Sequence, residues 1–195
     1  MKKVTAAVVV AATILWACNS TETKDSVETA DSTNKANIDS ANAGKSNQTI
    51  TTDAETSSFL VHVADAGMAE VQMGKDAQSK AVNARVKGFA DMMVRDHSAG
   101  NDQVKSLASQ RNVVLPDSVS EDHMKMMKDL QKKTGKDFDK AYMDDMVKGH
   151  EKVVDMLEKS SNKVNDTEVK TFINNTLPKI KEHLDSAKAI RKSLK

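Results

Sequence analysis

Four segments with helical periodicity each place a side chain that can bind a metal inside an apolar stripe. These side chains are Glu70, His97, His150 and His183. At about 100° per residue, Glu70 and His97 fall near the centres of their stripes, whereas His183 lies off-centre and His150 lies toward one edge. A carboxylate or imidazole buried without a partner is costly or shifts its pKa. The pattern therefore predicts either a metal site or a set of polar groups that satisfy one another.

The donor set indicates which kind of metal site this would be. A glutamate with up to three histidines suits one Zn, Cu, Fe or Ni ion. A carboxylate-bridged two-metal centre needs Glu-x-x-His on two helices, and the residues three before the histidines are Val94, Val147 and Ile180. Asp145 and His123 are candidates for an additional ligand or for a hydrogen-bond partner of a ligand. The sequence thus favours a mononuclear site.

The sequence gives little support for an enzyme. It contains no recognisable Ser/His/Asp arrangement and no glycine-rich phosphate loop. Asp96 and His97 do not form a dyad, because neighbouring residues of a helix point about 100° apart. We expect Asp96 to point away from the core and to pair locally, and His62 to be solvated. No catalytic residue is assigned.

The elements that must position these side chains are helices. Strand signals are missing, whereas capping residues and apolar periodicity recur. Ser118 to Glu121 form a capping box that opens a short helix ending before Gly135. Pro178 should kink the last helix. The predicted helices span residues 54–79, 83–112, 118–134, 137–161 and 167–195.

Connection lengths predict the architecture. The first two long helices, and the last two, are joined by a few residues each, so each pair is an antiparallel hairpin. About 25 residues separate the two hairpins, which is enough to travel back along a bundle. The expected fold is an all-α, ferritin-like four-helix bundle with a long crossover that carries a short extra helix. In this topology the four metal-capable side chains lie within about 9 Å in height.

The N-terminal residues predict export and lipidation. Two lysines and an apolar stretch make residues 1–17 a signal peptide that is too short to span a bilayer comfortably. The stretch Leu15-Trp16-Ala17-Cys18 resembles a bacterial lipoprotein signal, which implies lipidation of Cys18. By the same resemblance, Asn19 after the cysteine favours the outer membrane. We expect an outer-membrane lipoprotein of the cell envelope that faces the periplasm or the surface.

Composition divides the rest of the chain. Residues 18–53 are polar and carry few large aliphatics, so they are predicted to be a disordered tether. Residues 54–195 are predicted to be one bundle domain. The full chain has 29 Lys and Arg against 28 Asp and Glu, with 3% aromatic residues. This balance excludes a basic nucleic-acid surface. The expected partner is the membrane through Cys18, and a protein partner or a homodimer is left open.

Several short motifs together resemble one family. They are Met93-Val94-Arg95-Asp96-His97, Phe138-Asp139-Lys140-Ala141-Tyr142, His150, and Leu177-Pro178 followed by His183-Leu184. In this order they resemble the domain of unknown function 4142 family of predicted bacterial outer-membrane proteins, over about residues 56–190. The resemblance implies a ferritin-like bundle on an envelope protein and supplies no established activity.

Two functions follow from these observations. The first is an envelope lipoprotein that binds or buffers one transition-metal ion, with Glu70, His97, His150 and His183 as candidate ligands. The alternative is a metal-free structural or partner-binding bundle whose polar core groups satisfy each other.

Overall fold

The computed structural model describes residues 25–44 and 52–194, and within these ranges the regular structure is entirely helical. The all-α prediction is confirmed. The predicted signal peptide and Cys18 lie outside the described residues. Among the helices described, none is both long enough and apolar enough to cross a bilayer. The helices are α1 (Ser26–Asn42), α2 (Ala54–Lys80), α3 (Ala84–Gln110), α4 (Glu121–Gln131), α5 (Gly135–Lys163) and α6 (Thr167–Ser193).

The four long helices form a bundle in which α2 packs on α3 and α5, and α6 packs on α5 and α3. At one end, Arg111 after α3 donates from Nε to Asp166 before α6, at 2.8 Å. At the other end, Asp139 near the start of α5 accepts hydrogen bonds from the backbone N–H groups of Val82 and Asn83, at 3.1 and 2.9 Å. Helix α3 therefore ends at the opposite end of the bundle from the start of α5. The segment between them, which contains α4, runs back along the bundle as predicted.

Side-chain caps explain where several helices begin. Asp53 accepts from the backbone N–H of Thr56, and Asp166 accepts from those of Glu168 and Val169. Ser120, rather than Ser118, is the residue that caps α4. Helix α5 begins at Gly135, two residues before the predicted Asp137. Helix α6 continues through Pro178 without interruption.

The tether prediction for residues 18–53 is wrong over α1. This helix packs on α2 and buries Val27, Ala30 and Asn34, which are spaced three and four residues apart. Asn34 exchanges two hydrogen bonds of 2.8 Å with the backbone of Val114, one from its amide to the carbonyl and one from the N–H to its oxygen. A few inward-facing groups thus hold a helix whose average composition is that of a linker.

The interior is divided into two apolar clusters, one toward each end of the bundle. One contains Phe59, Leu60, Val104, Leu157, Val169 and Ile173 among others. The other contains Met73, Phe89, Met93, Phe138, Tyr142 and Met146 among others. On each long helix, the metal-capable side chain lies between the residues of the first cluster and most of those of the second. The candidate site is therefore a polar layer within an apolar core.

Candidate metal centre

Each long helix contributes one side chain to this polar layer. Glu70 comes from α2, His97 from α3, His150 from α5 and His183 from α6. Their exposed fractions are 4%, 8%, 0% and 3%. The expectation that His150 lies toward a surface edge is therefore wrong, because this side chain is fully enclosed. All four predicted side chains are interior, and the bundle brings them together.

The three imidazole rings surround one small volume. The ring centroids of His97 and His150 are 5.4 Å apart, those of His97 and His183 are 5.4 Å apart, and those of His150 and His183 are 5.8 Å apart. One ring nitrogen from each histidine lies within 4.8 Å of those of the other two. Three nitrogen atoms at this separation can bind one ion at about 2.0–2.1 Å each after small adjustments.

Each histidine has a partner on one ring nitrogen. His97 Nδ1 lies 2.8 Å from Glu70 Oε2. His150 donates from Nδ1 to the Met146 carbonyl oxygen at 2.9 Å, and His183 Nε2 lies 3.1 Å from Asp96 Oδ2. A hydrogen bond of this kind fixes the tautomer and the orientation of the ring.

The other nitrogen of each ring is enclosed in the protein interior. Within the described residues, His97 Nε2, His150 Nε2 and His183 Nδ1 are buried and have no hydrogen-bond partner. Buried polar atoms without a partner are rare and costly. Imidazoles held on one side by a carboxylate or a carbonyl, with the other nitrogen free, are the usual arrangement of metal-binding histidines.

Glu70 lies close to two of the three histidine rings. Besides its contact with His97, its Oε1 atom lies 3.3 Å from His150 Nδ1. This oxygen is buried without a hydrogen-bond partner in the part of the chain that is described. The described group that can hold a metal consists of the three histidines. Glu70 lies beside it as an acceptor, and its role as a direct ligand stays a prediction.

Burial and neighbouring charges set the protonation of these groups. Burial lowers the pKa of His150, and burial together with His97 and His150 lowers that of His183 to about 4. Burial also acts to lower the pKa of His97, but the Glu70 carboxylate outweighs it and raises the pKa above its usual value. Burial by itself raises the pKa of Glu70, and the charge of His97 reverses this. At neutral pH, His150 and His183 are therefore neutral imidazoles with a lone pair available.

Asp96 has a larger role than predicted. It was expected to pair only locally, and it does contact Arg95 at 2.8 Å. It also accepts from His183 on another helix, and its side chain is only 15% exposed. Burial raises its pKa, whereas Arg95, His183 and Lys179 lower it, and the net shift is downward. Sequence reasoning missed this contact because it depends on how α3 and α6 face each other.

The two other candidates lie outside the group of three histidines. His123 on α4 contacts Asp65 Oδ2 at 2.9 Å through Nδ1. Asp145 lines a cavity of about 990 Å³ between α2, α4 and α5, together with Met73 and Met126. Burial raises the pKa of Asp145 to about 6. Neither residue belongs to the described cluster that could hold a metal.

A second cavity, of about 300 Å³, lies beside part of the polar layer. It opens between α2, α3 and α6, and its lining includes His97, His183 and Glu70. Asn101 and Lys179 lie in the same lining. This opening gives the polar layer access to solvent from one side.

The chain matches a known protein family over most of its length. The family described as Domain of unknown function (DUF4142) matches residues 41–190. The chain belongs to this family. No curated protein sequence matches the chain.

Solved structures share the fold of this DUF4142 chain. CopM in the Cu(II)-bound form has a TM-score of 0.61 and CopM in the Cu(I)-bound form has 0.62, each at 16% identity. CopM in the Ag-bound form has a TM-score of 0.60 at 17% identity. Each comparison covers 71% of this chain and 96% of CopM. At these identities the similarity shows that the two proteins have the same fold.

Proposed function

We propose that this DUF4142 chain is an envelope lipoprotein that binds or buffers one transition-metal ion at His97, His150 and His183. The proposal rests on the hydrogen bonding of the nitrogens in the three histidine rings. Each holds a protein partner on one nitrogen, and its other nitrogen is buried without a hydrogen-bond partner in the described part of the chain. The three residues can also offer one nitrogen each within 4.8 Å of one another. A hydrogen-bonded polar plug would be expected to use these atoms.

The donor set fits the proposed ion. Three neutral imidazoles bind Zn, Cu, Fe or Ni, and leave a fourth position available. Copper is favoured because CopM, which shares the fold, was solved in Cu(I)-bound and Cu(II)-bound forms. Glu70 and Asp96 would hold the rings of His97 and His183 and raise the basicity of their ligating nitrogens. The three histidines would hold the ion, and the apolar clusters on either side of the layer would limit its contact with water.

Elemental analysis of tag-free protein tests the proposal. We expect one ion per chain after incubation with Cu, and no stoichiometric metal in His97→Ala with its helical content retained. His62→Ala is the matched control, because the His62 side chain is 49% exposed and lies outside the cluster. Binding of two ions per chain would contradict the mononuclear assignment.

The alternative is a metal-free bundle that serves as a structural or partner-binding protein. It is favoured by the contacts that already neutralise part of the polar layer, Glu70 with His97 at 2.8 Å and His183 with Asp96 at 3.1 Å. Absence of metal after incubation with Zn, Cu, Fe and Ni, together with lower stability of Glu70→Ala, would support this alternative and overturn the metal proposal.

The envelope part of the proposal rests on the sequence. A short apolar signal before a lone cysteine indicates export and lipidation of Cys18. Such an anchor would place the bundle at the outer membrane, facing the periplasm or the surface. A metal buffer in this compartment would meet ions before they reach the cell interior.

A further inference from the structure

The cavity of about 300 Å³ is lined by His97 and His183 of the polar layer and by several small and polar residues. Gly67 on α2 is essential to its shape. A Cβ at this position would lie 2.0 Å from Asn101 Oδ1, so only glycine lets the Asn101 amide lie against α2. Gly100 also lines the cavity. The volume is several times the roughly 30 Å³ that a water molecule occupies in the liquid, so it has room for a ligand of several heavy atoms.

Lys179 brings a positive charge to this cavity. It lies one helical turn before His183 on α6, on the same face. Two other lysines of α6 have carboxylate partners, Lys181 with Glu158 and Lys188 with Glu151, each at 2.8 Å. In the described ranges 25–44 and 52–194, Lys179 forms no such ion pair. Its ammonium group is therefore available to a ligand in the cavity.

The charge balance of the layer favours an anion. Asp96 is paired with Arg95, the buried Glu70 carboxylate keeps one negative charge beside the rings, and three coordinating imidazoles would be neutral. A divalent ion would then leave one positive charge without compensation in the polar layer. Buried charge without a counter-charge is unfavourable. The histidines also supply only three donors, so one position of a four-coordinate ion remains.

We propose that this cavity is a binding site for a small carboxylate-like anion, which takes the fourth position on the metal and is held by Lys179 and the Asn101 amide. The inference rests on the proposed metal function. It assigns the class of co-ligand: a singly charged anion with a few heavy atoms and an oxygen or nitrogen donor. Lys179 and Asn101 position this ligand and do not touch the metal.

Azide titration of the full chain loaded with Cu(II) tests the inference. Azide bound to Cu(II) gives a charge-transfer absorption that saturates as the site fills. We expect a saturable band in the wild-type protein, and about tenfold weaker azide binding in Lys179→Gln, as expected for loss of one charge-assisted hydrogen bond. Lys179→Arg should retain most of the affinity. Lys181→Gln is the matched control and should bind azide as the wild type does.

The outcomes separate the two proposals. If the chain takes up no copper, both the metal function and this inference are overturned. If copper binds stoichiometrically but azide gives no saturable band, or if Lys179→Gln binds azide as tightly as the wild type, this inference alone fails. Acetate that displaces azide competitively supports a carboxylate as the natural class. An azide site that acetate does not enter overturns that assignment.

Discussion

Glu70 is the residue that connects two of the three histidines. Its oxygens lie 2.8 Å from His97 Nδ1 and 3.3 Å from His150 Nδ1. A carboxylate in this position orients the His97 ring and increases its basicity. Glu70 thus holds a donor of α3 and lies beside one of α5, which makes it the most informative position for a single substitution.

We predict that Glu70→Gln weakens copper affinity by roughly 10–100-fold while one ion still binds per chain. The amide keeps the shape of the carboxylate but removes the negative charge that increases the basicity of the His97 ring. Competition with a chromophoric chelator measures the affinity. Glu151→Gln on α5 is the control, since the Glu151 side chain is half exposed and contacts Lys188. Complete loss of the ion in Glu70→Gln would instead identify Glu70 as a direct ligand.

The sequence predicted the interior residues of the site better than their contacts. Apolar periodicity along α5 placed His150 toward one edge of its stripe. In the structure the His150 side chain lies against Glu70 of α2 and His97 of α3, which encloses it. The periodicity of α5 alone does not contain these contacts. Asp96 was misplaced for a related reason, because the packing of α6 brings His183 to it and local periodicity contains no such information.

At the scale of elements, α4 is tied to α2 by an ion pair that titrates. His123 Nδ1 lies 2.9 Å from Asp65 Oδ2. The hydrogen bond that His123 donates to Asp65 raises the pKa of His123. Burial acts to raise the pKa of Asp65, but His123 and the Ser120 backbone outweigh it and lower the pKa. Folding therefore favours the charged form of both partners.

These shifts define the pH range in which the pair stabilises the fold. The contribution of His123 is complete below its unfolded pKa of about 6.5 and is lost as pH rises through its higher folded pKa. The contribution of Asp65 is present above its unfolded pKa of about 3.9 and is lost as pH falls through its lower folded pKa. The pair contributes most between about pH 4 and 6.5.

We predict that His123→Gln lowers the free energy of unfolding by roughly 1–2 kcal/mol near pH 5.5 and by less near pH 9. At the lower pH the substitution removes a charged ion pair, whereas at the higher pH His123 is already neutral and this pair is absent. Urea unfolding of metal-free protein at the two pH values measures this. The three core histidines are present in both the wild type and the variant, so their effect on stability cancels when the two free energies are subtracted. His62→Gln, at a half-exposed histidine, should change stability little. An equal loss at both pH values would show that His123 contributes by packing rather than by charge.

Helices with strong local signals were predictable, and the one without them was not. Asp53 and Asp166 cap α2 and α6, which begin at the predicted residues 54 and 167, and an apolar period follows each. Helix α1 was not predicted because its mean composition is polar. Its sequence signal was the spacing of Val27, Ala30 and Asn34 after an Asp25 cap. This spacing predicts a buried face only when the packing of α1 on α2 and the hydrogen bond from Asn34 to Val114 are known.

At the scale of the whole molecule, α1 changes the relation between the bundle and the proposed anchor. Residues 18–53 were expected to form a long tether, yet Ser26–Asn42 packs on α2. Only seven residue steps separate Cys18 from Asp25 in the sequence. Fully extended, this stretch reaches at most about 25 Å. If Cys18 is lipidated, α1 therefore lies close to the membrane surface.

Processing at Cys18 gives the last prediction. The chain has one tryptophan, Trp16, and one tyrosine, Tyr142. Cleavage before Cys18 removes the tryptophan, because Trp16 precedes the cleaved bond. We predict that protein extracted from membranes has tyrosine emission from the buried Tyr142 and no tryptophan emission. Cys18→Ser should retain the signal and therefore the Trp16 emission, and should not be labelled by a radioactive fatty acid. Tryptophan emission from the membrane-extracted wild type would contradict cleavage, and absence of lipid label on a cleaved chain would leave the bundle without this anchor.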